Sequence, residues 1–181
     1  LLFFIFICNL TYAQESDLLE RLQALDNNGK IWYNIDGYSI TSEDFNYNFD
    51  EKGIKKALKK HSIKDESRTK DENINANNIY FLTSEKVADN LFQRNSFYLI
   101  ENPDKKITVI WFAKTGEIDR ETERELTNLI IEKKIPKENF ATMQIGTINF
   151  GGREIELGNS CYWTYLNSVQ CPYFGQINWS V

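Results

Sequence analysis

Between Lys30 and Thr41 the chain alternates apolar and polar residues on both sides of an Asp36-Gly37 pair. A two-residue hairpin loop needs positive φ at its centre, which Asp and Gly supply at low steric cost. That loop sets Ile35 opposite Tyr38 and Tyr33 opposite Ile40 on one face, with Asn34 opposite Ser39 and Trp32 opposite Thr41 on the other. One face is apolar and the other mainly polar, so the chain must build an antiparallel sheet with one side packed on a core.

Further strands extend this expectation. The segments Phe97 to Ile100 and Ile107 to Ala113 flank a turn at Asn102-Pro103-Asp104-Lys105, and Val109-Ile110-Trp111-Phe112 is apolar on both parities, as in a strand covered on both faces. Ile79 to Thr83 reads as a strand. Near the C-terminus, Gly151-Gly152 joins Thr147–Phe150 to Arg153–Leu157. This sets Ile148 opposite Ile155 and Phe150 opposite Arg153, with Asn149 opposite Glu154 and Thr147 opposite Glu156 on the solvated side. A last strand is expected near Gln176 to Ser180.

Helical periodicity is found in four places. Leu18, Leu19, Leu22 and Leu25 share a face and precede Asn27-Asn28-Gly29, a left-handed stop. Glu51 to Lys60 turns Ile54, Ala57 and Leu58 inward and four lysines outward. Ser84 can cap a helix with Val87, Ala88, Leu91 and Phe92 on one side. Asp119 caps a helix running to about Lys134, with Thr122, Leu126, Leu129 and Ile130 inward and acids at its start, in line with the helix dipole. The segment Phe45 to Phe49 alternates like a strand but follows a possible capping box, and is left open. The expected class is therefore α+β: antiparallel hairpins forming a sheet, three or four helices packed on it, and a disulfide near the C-terminus. The stretch from Lys64 to Asn78 has only two apolar residues, Ile74 and Ala76, and is expected to be a mobile loop that separates two lobes.

Residues 1–13 form an apolar run closing on Thr11-Tyr12-Ala13, with the first charge at Glu15. This is the pattern of a signal peptide whose basic start is missing, and the run is too short for a spanning helix. Cleavage there leaves a single domain, 14–181, without Cys8. The remaining pair, Cys161 and Cys171, is expected to form a disulfide in an oxidising compartment, periplasmic or extracellular. No integral membrane anchor is expected. A net charge of −5 disfavours nucleic acid as a partner.

Chemistry-bearing patterns are sparse. One histidine, His61, ends a lysine-rich helix, and a dipole contact accounts for it without a catalytic role. No zinc set, phosphate loop, dinucleotide fingerprint or nucleophile elbow is present, so neither a metal nor a cofactor is expected. Glu154 and Glu156 lie on one strand face about 7 Å apart at the usual strand rise, which permits a carboxylate hydrolase as the alternative function. The richest feature is aromatic: Tyr162, Trp163, Tyr165, Tyr173, Phe174 and Trp179 surround the cystine in sequence. Tyr162, Trp163, Tyr165, Tyr173 and Trp179 are the candidate binding residues, with core packing as the competing role and alternation sending Tyr162 and Trp163 to opposite sides of a strand. The function expected on these grounds is that of an exported, non-catalytic binding or inhibitory module, an envelope accessory or immunity-type protein, with another protein as partner.

Overall fold

The Asp36-Gly37 turn forms as its residues require, with φ of 49° at Asp36 and 76° at Gly37. It joins β2 (Lys30–Ile35) to β3 (Tyr38–Asn48) in the register expected, Tyr33 opposite Ile40 and Trp32 opposite Thr41. The computed structural model describes residues 17–27, 29–64, 68–150, 152–172 and 174–179. The leader read at 1–13, Cys8 and Tyr173 lie outside the described residues.

These two strands and four neighbours build one antiparallel sheet of six, in the order β1-β2-β3-β6-β5-β4. Here β1 is Gln23–Asn27, β4 Asn78–Ala88, β5 Leu91–Glu101 and β6 Lys106–Thr115. Two meanders, β1-β2-β3 and β4-β5-β6, thus meet through their last strands. The run Val109 to Phe112 lies on β6, between β3 and β5, and Val109, Ile110 and Phe112 are all at most 1 % exposed. Burial on both faces is why this run loses the period-2 alternation of a surface strand.

Each face of the sheet carries its own core. On one side α1 (Glu51–Lys60) sets Ile54, Ala57 and Leu58 against Phe45, Phe81, Phe97, Leu99, Ile107 and Val109. On the other, α2 (Arg120–Ile131) sets Leu126 and Leu129 against Tyr38, Ile40, Tyr98, Ile100, Ile110 and Phe112. Asp50 caps α1 and Asp119 caps α2 through side-chain bonds to the first-turn N–H groups. The start of α1 also passes close to the end of β3. A Cβ at Gly53 would overlap the Asn48 carbonyl, which belongs to backbone and has no room to yield. Gly53→Ala is accordingly expected to cost about 1–3 kcal/mol through overpacking, measured by denaturant unfolding.

The α+β expectation is overturned: of the described residues 53 % are strand and 19 % helical, and the strands form two sheets, which makes the fold β-rich. Two of the expected helices account for the difference. After a helical turn at 17–21 the chain becomes β1, so Leu25 is buried in a strand beside Ala24. Gly29, at φ 91°, closes a hairpin with β2, not a helix. Positive φ serves both purposes equally well, and the partner strand decides which one is used. The segment expected to be a helix after Ser84 is the tip of the β4–β5 hairpin, turning at Asp89-Asn90 with Asn90 at φ 60°. Val87, Leu91 and Phe92 are each nearly half exposed there. Ladder bonds along the hairpin override the helical spacing of these residues.

The remaining strands form a second, four-stranded antiparallel sheet in the order β10-β9-β8-β7. These are β7 (Gln144–Phe150), β8 (Arg153–Tyr165), β9 (Ser168–Cys171) and β10 (Gly175–Asn178). The β7–β8 register matches that set by Gly151-Gly152, with Ile148 opposite Ile155 and Thr147 opposite Glu156. The Cys161–Cys171 disulfide ties β8 to β9, and both sulfurs pack with Ile148 and Val169 in a small core of their own.

The polar stretch ahead of β4 is fastened at several points over its described residues. Thr69 bridges Tyr80, and Asp71, 3 % exposed at its side chain, takes hydrogen bonds from Arg120 at 2.5 Å and Arg124 at 2.8 Å. Asn75 and Asn73 bond with Asn128 on α2. No helix among the described residues is long and apolar enough to cross a membrane.

Candidate functional site

The two sheets meet along a short seam. Tyr165, at the end of β8, packs edge-on against Trp32 of β2 with ring centroids 4.9 Å apart, and its hydroxyl bonds Ser39. Beside α2 the chain crosses through a 3-10 turn, Lys137–Asn139, whose Asn139 side chain donates to the carbonyls of Leu19 at 2.6 Å and Leu22 at 2.9 Å. Ala141 N–H then donates to the Ala24 carbonyl at 2.8 Å. An asparagine that caps two free carbonyls of a single helical turn holds that turn in place without a long helix behind it.

These fastenings leave a cleft of about 670 Å³ between the N-terminal turn and the second sheet. One wall is Leu19, Glu20, Leu22 and Gln23, and the crossing segment adds Pro136, Glu138 and Asn139. The opposite wall is β7, through Ile145, Thr147, Ile148 and Asn149, and the floor is Trp163, Leu166 and Trp179. Trp163 and Trp179 meet edge to face at 5.7 Å, a favoured geometry for aromatic pairs. Trp179 is placed by its own N–H, which donates to Asn167 at 3.1 Å, and the cystine core lies under Trp163. The volume and the mixture of aromatic and polar walls suit a segment of a larger ligand.

The structure separates the candidate aromatic residues. It brings Trp163 and Trp179 together in the cleft and uses Tyr165 as the strut between the sheets. Tyr162 stands 42 % exposed outside the cleft lining, and Phe174 is 88 % exposed. Glu154 and Glu156 are exposed, and neither lines the cleft. His61 caps α1, its ring between Phe45 and Phe97 at about 6 Å from each. Burial holds its pKa below the ordinary value.

A second polar constellation, which sequence reasoning missed, lies under α2. The expected inward residue Thr122 is only partly buried, and Glu123 occupies the buried face instead, 0 % exposed. Glu123 accepts from Ser96 at 2.8 Å and from Arg120 at 3.0 Å, while Arg120 also reaches Asp71 and stacks on the Tyr80 ring at 3.7 Å. Burial raises the pKa of Glu123 against the opposing Ser96 bond and the Arg120 charge. Burial also acts to raise that of Asp71, but the Arg124 bond, the Asn73 N–H and the two arginine charges outweigh it and hold the carboxyl below its ordinary value. Glu123 is sealed from solvent, so the cluster serves to fasten the 68–78 segment to α2 and β5.

Tyr98, at 0 % exposure, places its hydroxyl in the same region without a hydrogen-bond partner among the described residues. Tyr98→Phe removes that buried, unpaired hydroxyl while keeping the ring's contacts with Tyr80 and Phe112. The variant is expected to be more stable by about 1 kcal/mol, measured by chemical denaturation.

Among the described residues no group of three or more His, Cys, Asp or Glu side chains is placed to hold a metal ion. No protein-family model, curated protein or solved structure matches the chain.

Proposed function

We propose that the chain is an exported, non-catalytic binding or inhibitory module that holds part of another protein in the cleft floored by Trp163 and Trp179. The observation that carries the proposal is the convergence of these two tryptophans, sixteen positions apart in sequence, on the floor of one open cleft. Tryptophans supply large contact area at small entropic cost and anchor many interfaces. The apolar leader pattern and the Cys161–Cys171 bridge support the exported setting, where disulfides persist.

The test is affinity capture from the native envelope with the oxidised protein as bait, run beside Trp163→Ala/Trp179→Ala and Gln23→Arg. Gln23 is exposed on the cleft wall, so its replacement crowds the opening without touching either core. The reading expects one discrete partner, retained by the parent protein and lost at least about tenfold by both variants. Recovery of no protein, or equal recovery by all three baits, overturns it.

A further inference from the structure

The cleft wall on β7 has an unusual makeup. Thr147, Ile148 and Asn149 are consecutive, and all three line the cleft. Side chains of a strand alternate between faces, so a ligand resting on one face meets every second residue only. Three in a row mean that the cleft runs along the strand's edge. Among the described residues β7 is the terminal strand of its sheet, paired with β8 alone, and so presents half of its N–H and C=O groups away from its partner.

This edge also lacks the usual protection. Natural edge strands are short or carry charge or proline. Among the other terminal strands, β4 carries Glu85 and Lys86, β1 carries Asp26, and β10 has four residues. β7, with the sequence Gln-Ile-Gly-Thr-Ile-Asn-Phe, has seven residues and neither charge nor proline. Its register shift relative to β8 leaves four residues of β8, 157–160, against Gly146 alone, so the surplus chain lies on the partner strand. Among the described residues, the charged ones in the cleft lining are Glu20 and Glu138, both exposed, and no lysine or arginine lines it.

We infer that the cleft recognises an extended, basic peptide segment by strand addition to β7, with an apolar side chain seated on Trp163 and Trp179 and cationic side chains beside Glu20 and Glu138. The inference rests on the proposed binding role and names its occupant. Main-chain bonds to β7 supply affinity, and the tryptophan floor and the two carboxylates supply selection, as in other strand-addition sites. A basic segment also complements the chain's own net charge of −5.

The probes are three capped decapeptides. One alternates lysine with valine, one alternates glutamate with valine, and one repeats the lysine peptide with alternate backbone nitrogens methylated. Each is titrated into the intact, oxidised protein, with tryptophan fluorescence and amide exchange as readouts. The lysine peptide is expected to bind, to protect the outward amides of β7, and to lose about three- to tenfold in affinity with Glu20→Gln/Glu138→Gln. The methylated peptide is expected to bind at least about tenfold more weakly, since it cannot complete the ladder. Equal binding of the glutamate peptide overturns the charge assignment, and equal binding of the methylated peptide overturns strand addition. Binding of none of the three, while envelope capture still depends on the tryptophans, overturns this inference and leaves the proposed function standing.

Discussion

Arg120→Met is expected to lower the unfolding free energy by about 3 kcal/mol, because it removes the cation shared by two carboxylates that have left solvent. Arg120 lies 3.0 Å from Glu123 and 2.5 Å from Asp71, whose side chains are 0 % and 3 % exposed. Methionine preserves an apolar stem over the Tyr80 ring, so the loss isolates the charge. Asp71 keeps Arg124, whereas among the described residues Glu123 keeps the Ser96 hydroxyl alone. For a chain of this size the loss corresponds to a fall of about 6–12 °C in midpoint. The double variant Arg120→Met/Glu123→Met is expected to recover most of it, since an apolar pair has no charge to leave stranded. A double variant as unstable as the single would assign the effect to packing.

The same cluster sets opposing pH dependences. Glu123 has a folded-state pKa above its unfolded value of 4.5, so its contribution is full below about that pH and is lost as pH rises through the folded value. Asp71 has a folded-state pKa below 3.8, so its contribution is present above that pH and is lost as pH falls through the folded value. In Arg120→Met the Glu123 contribution becomes steeper, and the variant is expected to regain stability relative to the parent as pH is lowered toward 4.5. Stability curves measured by denaturant between pH 4 and 8 check the sign.

Replacing both Cys161 and Cys171 by alanine is expected to cost about 2–3 kcal/mol, the chain-entropy value for closing a loop this short. The bridged residues are ten apart and sit in the core of the smaller sheet with Ile148 and Val169. That sheet is fastened to the larger one chiefly by Tyr165 and the chain crossing at Asn139, so the effect is local. Amide exchange is expected to accelerate first along β8, β9 and β10, with β5 and β6 retaining protection. Uniform loss of protection across both sheets would show that the cystine supports the whole fold and not the second sheet alone.

How much of this was legible in the residues depended on whether the signal was local. The Asp36-Gly37 hairpin, the Gly151-Gly152 hairpin and the cap at Asp119 each rest on two to four neighbouring positions, and their registers and ends could be read directly. Leu18 to Leu25 misled because its spacing and its Gly29 stop are equally compatible with a turn of helix followed by a hairpin. Glu123 was read as one more acid for the helix dipole, since Ser96, Arg120 and Asp71, which bury it, come from three separate elements. The cleft gathers residues from 19 to 179, so sequence proximity to the cystine selected Trp163 and Trp179 but could not separate them from Tyr162 or Tyr165.

The claim that the cleft is the working surface is tested most directly by a photoreactive residue placed at Asn149, on the β7 wall, and at Lys70, on an exposed loop outside the cleft. On illumination in the native envelope, Asn149 is expected to yield one discrete protein adduct, which disappears with Trp179→Ala, while Lys70 yields none. Equal labelling from both positions, or no adduct from Asn149, would contradict the claim.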